Sequence, residues 1–556
     1  MSQDSDVLDA LVVGAGFTGL YALHRLRDRM GLRTLAVDSA PGVGGTWYWN
    51  RYPGARCDIE SIHYSYSFDE DLQREWTWSE RYSGQPEILR YLEHVADRFD
   101  LRRDISFETT VAGMTWDEAG AVWRVRLGTT DGEREVAARF VVAGAGNVSV
   151  PKEPEFTGLD TFAGPVYATH RWPHTEPDLA GLRVGVIGTG ASGIQAIPKI
   201  AERCGHLTVF QRTPNFATPL RNRPADPAEV AETKAHYPEV RERARASFMG
   251  VPYPPPEPSA LAVAPEQRRR MYDESWRTGG FRMLMSYADL LVSPEANETA
   301  AEYVRERIQE RVSNPEVAAL LCPDDHPLGT KRLPMETGYY ETFNRENVTL
   351  VGVKDNPVVE VTPGGVRLAD GTEYPLDVLV LATGFDAFTG ALRKMNIVGR
   401  GGEALNDTWA AGPVSYLGLM THGFPNLFTI TGPGAAVALY NNPLAIEDHV
   451  ELATKAIQHA LDTERPVVDP TAEAQAEWRE ELNARAHATL FPTAASWYMG
   501  ANIPGKPRTV MMYVGAAAEY RASCADIVAD DWRGFTFAPA PATATEFAAV
   551  TVPAAR

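Results

Sequence analysis

The chain has 556 residues, is 44% apolar and carries a formal charge of −20. That acidic balance excludes nucleic acid and anionic membrane as charge-held partners. Cys57, Cys204, Cys322 and Cys524 are its only cysteines and form no Cys-x-x-Cys pair. Zinc-ribbon spacing and a dithiol redox centre are thereby excluded, no metal is expected, and a reducing compartment fits. The N-terminal MSQDSDVLDA lacks a signal-peptide stretch, and no apolar run reaches the roughly 20 residues that cross a bilayer. A soluble cytoplasmic protein is predicted.

The first predicted strand is Ala10–Val13, running into Gly14-Ala15-Gly16-Phe17-Thr18-Gly19. A helix follows, with Leu20, Leu23, Leu26 and Met30 at helical spacing. The next strand, Thr34–Asp38, ends in a carboxylate about 20 residues after the glycines, where a ribose-binding acid belongs. Asp38 would repel a 2′-phosphate, so this loop suits FAD or NAD. Next come Gly45, Thr46 and Trp47 in an aromatic, glycine-rich stretch, read as a wall along a flat ring system, and then Asp58, read as a site carboxylate. Gln85–Phe99 is predicted as an amphipathic helix. Phe107–Val111, Met114–Asp117 and Val122–Leu127 are predicted as strands of a small sheet, and Val141–Gly146 as a buried strand with a glycine end.

A second fingerprint, with Gly188, Gly190 and Gly193, follows the apolar RVGVI segment. Its next strand, Leu207–Phe210, ends in Gln211-Arg212-Thr213 with no carboxylate. A guanidinium there is the planar fork suited to a 2′-phosphate, so NADP is preferred over NAD. Residues 222–326 are rich in Glu, Arg and Ala, with a proline cluster from Pro252 to Pro256, and read as a mostly helical insertion. Lys331 and Arg332 lie in a Gly/Pro-bounded turn. Val378–Ala382 is predicted to return the chain to the first module. Gly432-Pro433-Gly434 opens a loop that could approach a cofactor. Thr493–Lys506 reads as a mobile cover, and the tail from Phe537 as disordered.

The fold expected is α/β, with two Rossmann-like dinucleotide-binding domains. Residues 1–150 and 351–536 form a discontinuous FAD domain, and 176–221 with 327–350 an NADP domain interrupted by the insertion. Residues 151–175 form a linker, and 537–556 a tail. A flavin site and a nicotinamide site on one chain imply hydride transfer between them. Without a cysteine pair, dioxygen is the expected acceptor.

The linker carries Phe162, Gly164, Trp172 and Pro173 between the two fingerprints. With the GTKR segment at 329–332 and SWYMGANIPGK at 496–506, the chain resembles type I Baeyer–Villiger monooxygenases over nearly its whole length. It is similar in texture to the phenylacetone and steroid monooxygenase group. The resemblance implies FAD, NADPH, dioxygen and a ketone, with an ester or lactone formed through an anionic peroxyflavin. It implies Arg332 as the catalytic cation and Asp58 as its partner. Arg212, Thr213 and Lys331 would serve NADP, and Trp497 would lie near the nicotinamide or substrate. Ala435, Leu439 and Tyr440 would line the substrate pocket. The family's linker histidine is Ala168 here, and His170, two residues on in an extended segment, would face the same side. A heteroatom monooxygenase acting on amines or sulfides is the alternative, and a non-catalytic flavin sensor a further one.

Overall fold

The computed structural model describes residues 7–152 and 154–541. Strand β1 (Val7–Val13) and β2 (Thr34–Val37) flank helix α1 (Phe17–Leu23), which a π-helical stretch, His24–Arg29, continues. Helix α2 (Gln85–Arg98) precedes β3 (Ile105–Ser106), β4 (Thr110–Asp117), β5 (Val122–Thr129) and β6 (Gly132–Ala143). Strands β3, β2, β1 and β6 run parallel, and β4, β5 and β6 form an antiparallel meander. Both faces of β1 are covered, as a parallel strand requires. Ala10 and Val12 join the large core, while Leu11 and Val13 pack in a second cluster with Trp123 and Trp409. The segments 107–111 and 114–117, expected as separate strands, meet in the single β4, which begins at Thr110 and leaves 107–109 outside it. Its register shifts between Val111 and Gly113, which breaks the alternation that the sequence shows.

The second sheet holds β7 (Val166–Ala168), β8 (Arg183–Ile187), β9 (His206–Gln211), β10 (Val348–Gly352) and β11 (Val378–Leu381), with helix α3 (Ala191–Ala201) after β8. All five strands are parallel, in the order β10-β9-β8-β11-β7. The expected return to the first module at Val378–Ala382 is therefore corrected: β11 lies between β8 and β7. A buried apolar strand with a glycine end suits either parallel sheet, so its pattern cannot name its neighbours. The return is made by β12 (Ile397–Val398) against β4 and β13 (Leu427–Thr429) against β6.

The insertion is helical, as expected: Pro227–Ala235, Tyr237–Arg245, Pro265–Thr278, α4 (Pro294–Arg311) and Pro315–Leu321. Each carries proline in its first turn, where no backbone donor is lost. Asp226, Ser293 and Asn314 cap three of them. The long helix α5 (Asn442–Asp462) packs on α1. The start of the tail is ordered: Phe535–Ala538 pairs with Val467–Pro470, so the expectation of disorder from Phe537 fails for those residues. Residues 542–556, and the acidic start 1–6, lie outside the described residues. Among those described, no helix is long and apolar enough to cross a membrane.

His449 on α5 gives the fold an acid-sensitive point. Its Nδ1 accepts from the Thr431 N–H at 3.1 Å, so the proton sits on Nε2, facing the Tyr520 hydroxyl. Burial lowers its pKa to about 4. A second proton would displace the Thr431 bond. The unfolded chain titrates near 6.5, so this contribution is complete above that value and is lost as pH falls toward 4. Going from pH 7 to 5 should cost about 2 kcal/mol from His449 alone. Urea midpoints across this range measure the slope. His449→Gln, which keeps an acceptor and a donor, should reduce it; an unchanged slope would disprove the assignment.

Candidate active site

Each glycine fingerprint is built by close backbone approach. In the first, Gly14 has φ +102°, and a Cβ on Gly19 would stand 1.7 Å from the Gly14 carbonyl oxygen. Asp38 is buried at the end of β2 and fixes the turn, accepting from the Ala15 N–H at 2.6 Å and the Ala40 N–H at 2.8 Å. Burial raises its pKa, while those two donors act against the rise. Gly16 faces Gly45, whose Cα lies 3.3 Å from a Cβ built on Gly16. Thr46 is exposed. Trp47 is buried, with Nε1 donating to the Tyr64 hydroxyl at 3.2 Å.

In the second fingerprint, Gly188 has φ +109° and lies against the Ala382 carbonyl, and Gly193 packs on the Gly188 carbonyl. Gly190 differs: a Cβ there would meet nothing within 4 Å. Its open face at the N-terminus of α3 is where a pyrophosphate would approach. Thr189 Oγ1 donates to the Thr213 carbonyl at 3.3 Å. Arg212 is exposed and makes no ion pair among the described residues. Lys331 pairs with Asp325 at 3.2 Å. The two cradles fit two dinucleotides: the glycines that pack on carbonyls shape the turns, and the open one faces outward.

The cradles are clasped together. The Tyr52 hydroxyl donates to Gln195 Oε1 on α3 at 2.8 Å, and Gln195 Nε2 returns a bond to the Arg56 carbonyl at 3.1 Å. A Cβ on Gly54 would meet the Gln195 carbonyl oxygen at 2.5 Å. Arg171 of the linker lies over the Trp49 ring at 5.5 Å, and His174 meets Tyr48. The linker also corrects an expectation. β7 ends at Ala168, and Thr169–Arg171 is a 3-10 turn, so His170 does not share a strand face with Ala168. The His170 ring instead lies 6.2 Å from that of Phe385.

At the end of the clasped loop, Asp58 meets Arg332. Nε and Nη2 of the arginine donate to one Asp58 oxygen at 3.1 and 2.7 Å, and Nη1 donates to the Ala438 carbonyl at 2.7 Å. The guanidinium carbon lies 4.9 Å from the centre of the Phe281 ring. Burial alone would lower the arginine's pKa, but Asp58 and the Tyr498 oxygen outweigh it and hold the group above its ordinary value. Both partners remain about a quarter exposed, so the cation is supported yet reachable.

Trp497 is half-buried against Phe388. Its loop is tied down by Asn502 Nδ2 to the Phe385 carbonyl at 2.7 Å and by Lys506 Nζ to Asp386 at 2.7 Å. Ala435 is buried and takes the Tyr513 N–H on its carbonyl. The Tyr440 hydroxyl is engaged by Asp448 and Arg521, and Leu439 is half-buried. The Ala438 carbonyl brings the 439–440 turn to Arg332. Phe281 and Tyr498 were missed as arginine contacts: Phe281 sits in no motif, and Tyr498 was masked by its neighbour Trp497.

Two family models match parts of the chain: a NAD(P)-binding Rossmann-like domain over residues 12–76, and L-lysine 6-monooxygenase/L-ornithine 5-monooxygenase over 72–274. An acetone monooxygenase (methyl acetate-forming) of Gordonia sp. (strain TY-5) is 43% identical, covering 96% of this chain and 99% of that protein. A Baeyer–Villiger monooxygenase of Pseudooceanicola batsensis is 43% identical over 92% of this chain and 93% of its own. The solved structure of an oxidized steroid monooxygenase bound to NADP superposes with a TM-score of 0.91 at 49% identity, covering 96% of this chain and 99% of that one. With two dinucleotide cradles and a supported arginine between them, the chain belongs to the Baeyer–Villiger monooxygenases, flavoproteins that use FAD and NADPH.

Proposed function

We propose that the protein inserts one atom of dioxygen beside a ketone carbonyl to give an ester or lactone, with Arg332 as the catalytic cation. The observation that carries this reading is the Arg332–Asp58 pair, held at 2.7 and 3.1 Å with a third arginine N–H on the Ala438 carbonyl. FAD, reduced by NADPH, supplies the electrons that activate dioxygen. Arg332 places a permanent charge where the ketone oxygen becomes negative as its carbon turns tetrahedral. Asp58 aims the guanidinium. Leu439 and Tyr440, brought to the arginine by Ala438, and Ala435 earlier in the same loop, form the ketone's wall. Trp497 and Tyr498 keep water from the reacting atoms.

Gly14, Gly16, Gly19, Asp38, Gly45, Thr46 and Trp47 hold FAD in this reading. Gly188, Gly190, Gly193, Arg212, Thr213 and Lys331 hold NADPH. The FAD domain takes residues 1–150 and resumes near 397, and the NADPH domain takes 176–221 and 327–381 around the insertion. The cytoplasm, reducing and supplied with NADPH, suits four free cysteines.

Arg212→Ala should raise the KM for NADPH about tenfold or more, the worth of a lost charge-assisted bond, while changing that for NADH less than twofold. Equal changes would remove Arg212 from the 2′-phosphate site. The reaction itself is tested by following NADPH consumed, hydrogen peroxide released and ester formed with linear, cyclic, aromatic and steroid ketones. Ester matching NADPH for some ketone supports the reading. Oxidation of a sulfide or amine with no ester from any ketone would replace it with heteroatom oxygenation.

A further inference from the structure

A chain of four hydrogen bonds links the side chain of Lys331 to the main chain of its neighbour Arg332. Lys331 Nζ lies 3.2 Å from Asp325 Oδ2, and Asp325 Oδ1 lies 2.5 Å from His326 Nδ1. His326 Nε2 lies 3.2 Å from Asn215 Oδ1, and Asn215 Nδ2 donates to the Arg332 carbonyl at 3.0 Å. The imidazole is buried, with its side chain 1% exposed, and packs edge-on against Phe216.

Both nitrogens of this ring face oxygen acceptors. A neutral imidazole has one N–H and can satisfy only one of them. Turning the Asn215 amide over does not help, because its Nδ2 is committed to the Arg332 carbonyl. The chain is complete only when His326 carries two protons. Burial opposes the second proton most and holds the pKa below the ordinary histidine value; Asp325 and Asp324 favour that proton, whereas Lys331 opposes it. The site is thus balanced, and Lys331 is the cation that can be drawn elsewhere.

We propose that His326 is a positioning residue that takes up a proton when the 2′-phosphate of NADPH draws Lys331 from Asp325, completing the tie through Asn215 to the Arg332 peptide. The proton comes from solvent, and no other covalent bond is made or broken. The inference rests on Lys331 as a 2′-phosphate ligand. It makes the placement of the catalytic arginine depend on the cofactor being the phosphorylated one. Asp325 and Asn215 are positioning residues in the same sense.

The test counts protons on binding. NADP⁺ is titrated into the FAD-loaded enzyme by calorimetry at pH 7.5, in two buffers of different ionisation enthalpy. At that pH a phosphate with its second pKa near 6 is almost fully ionised and contributes little. Wild type should take up roughly 0.1 to 0.3 proton per NADP⁺, the change expected when a histidine pKa that starts below its ordinary value rises by about a unit. NAD⁺ should give none. His326→Phe, which keeps the ring packing, and His326→Gln should both lose the uptake. Ester formed per NADPH should fall at least threefold in His326→Phe and be partly restored in His326→Gln, with flavin reduction within twofold of wild type. The same proton count for NADP⁺ and NAD⁺ in wild type overturns the proposal without any variant, and so does an unchanged count in a folded His326→Phe. Arg332→Ala separates the two readings. It should keep the uptake, because the tie reaches only the main chain of residue 332, and ester formation by that variant would instead defeat the role given to the arginine.

Discussion

Arg332→Ala is expected to lower ester formation at least about a hundredfold while leaving reduction of FAD by NADPH within about twofold. The guanidinium uses three N–H groups on Asp58 and Ala438, so its charged face is fixed in direction. Removing it deletes the stabilising cation and also leaves the Asp58 carboxylate, about a quarter exposed, without its partner. Both changes act against negative charge on the ketone oxygen. Lysine is a poor replacement, because one ammonium cannot reproduce a planar fork that serves an acid and a carbonyl together. Stopped-flow absorbance reads flavin reduction, and chromatography of the organic product reads ester. Ester at near wild-type rate would rule the arginine out as the catalytic cation.

The second large effect separates two glycines of one motif. Gly190→Ala should leave thermal stability unchanged, since its φ is −81° and a Cβ there meets nothing within 4 Å. It should weaken NADP⁺ binding about tenfold or more by obstructing the face that a phosphate must approach. Gly193→Ala should do the reverse in order of cause. Its Cβ would stand 2.3 Å from the Gly188 carbonyl oxygen, so backbone must move, at a cost of about 1–3 kcal/mol and a loss of several degrees in Tm. Tm and the Kd for NADP⁺, measured on both variants, check the pair. Equal loss of stability in both would mean that Gly190 is not on an open face.

These two effects also mark what can be read from the residues. Gly14, Gly19, Gly188 and Gly193 are legible because no other side chain fits where a backbone carbonyl lies that close. Asp38 and Arg212 are singled out by what a ribose and a 2′-phosphate each call for at a strand end, and those two roles stay with the proposal. Asp58 and Arg332 are far apart in the chain, and only resemblance paired them. Phe281 and Tyr498 were not legible as contacts of the Arg332 guanidinium, nor Asn215 and His326 as the chain that reaches its carbonyl. They come from loops brought together by tertiary packing, and each alone has an ordinary core or surface reading. The sheet that receives Val378–Leu381 was unreadable for a similar reason, since a strand buried on both faces has the same composition in either module. His170 failed through local geometry, because a parity argument holds only while the backbone stays extended.

Strand β6 has a consequence for how the protein is made. Its last residues are flanked by β1 on one side and by Leu427–Thr429 on the other, while β4 awaits Ile397–Val398. A ribosome must therefore synthesise the whole second sheet and the helical insertion before the first sheet can acquire its final strands. The nascent chain would carry exposed strand edges during that interval, the state in which chains of this size aggregate and engage chaperones. Slower translation or added chaperone during synthesis of residues 150–430 should therefore change the yield of soluble enzyme.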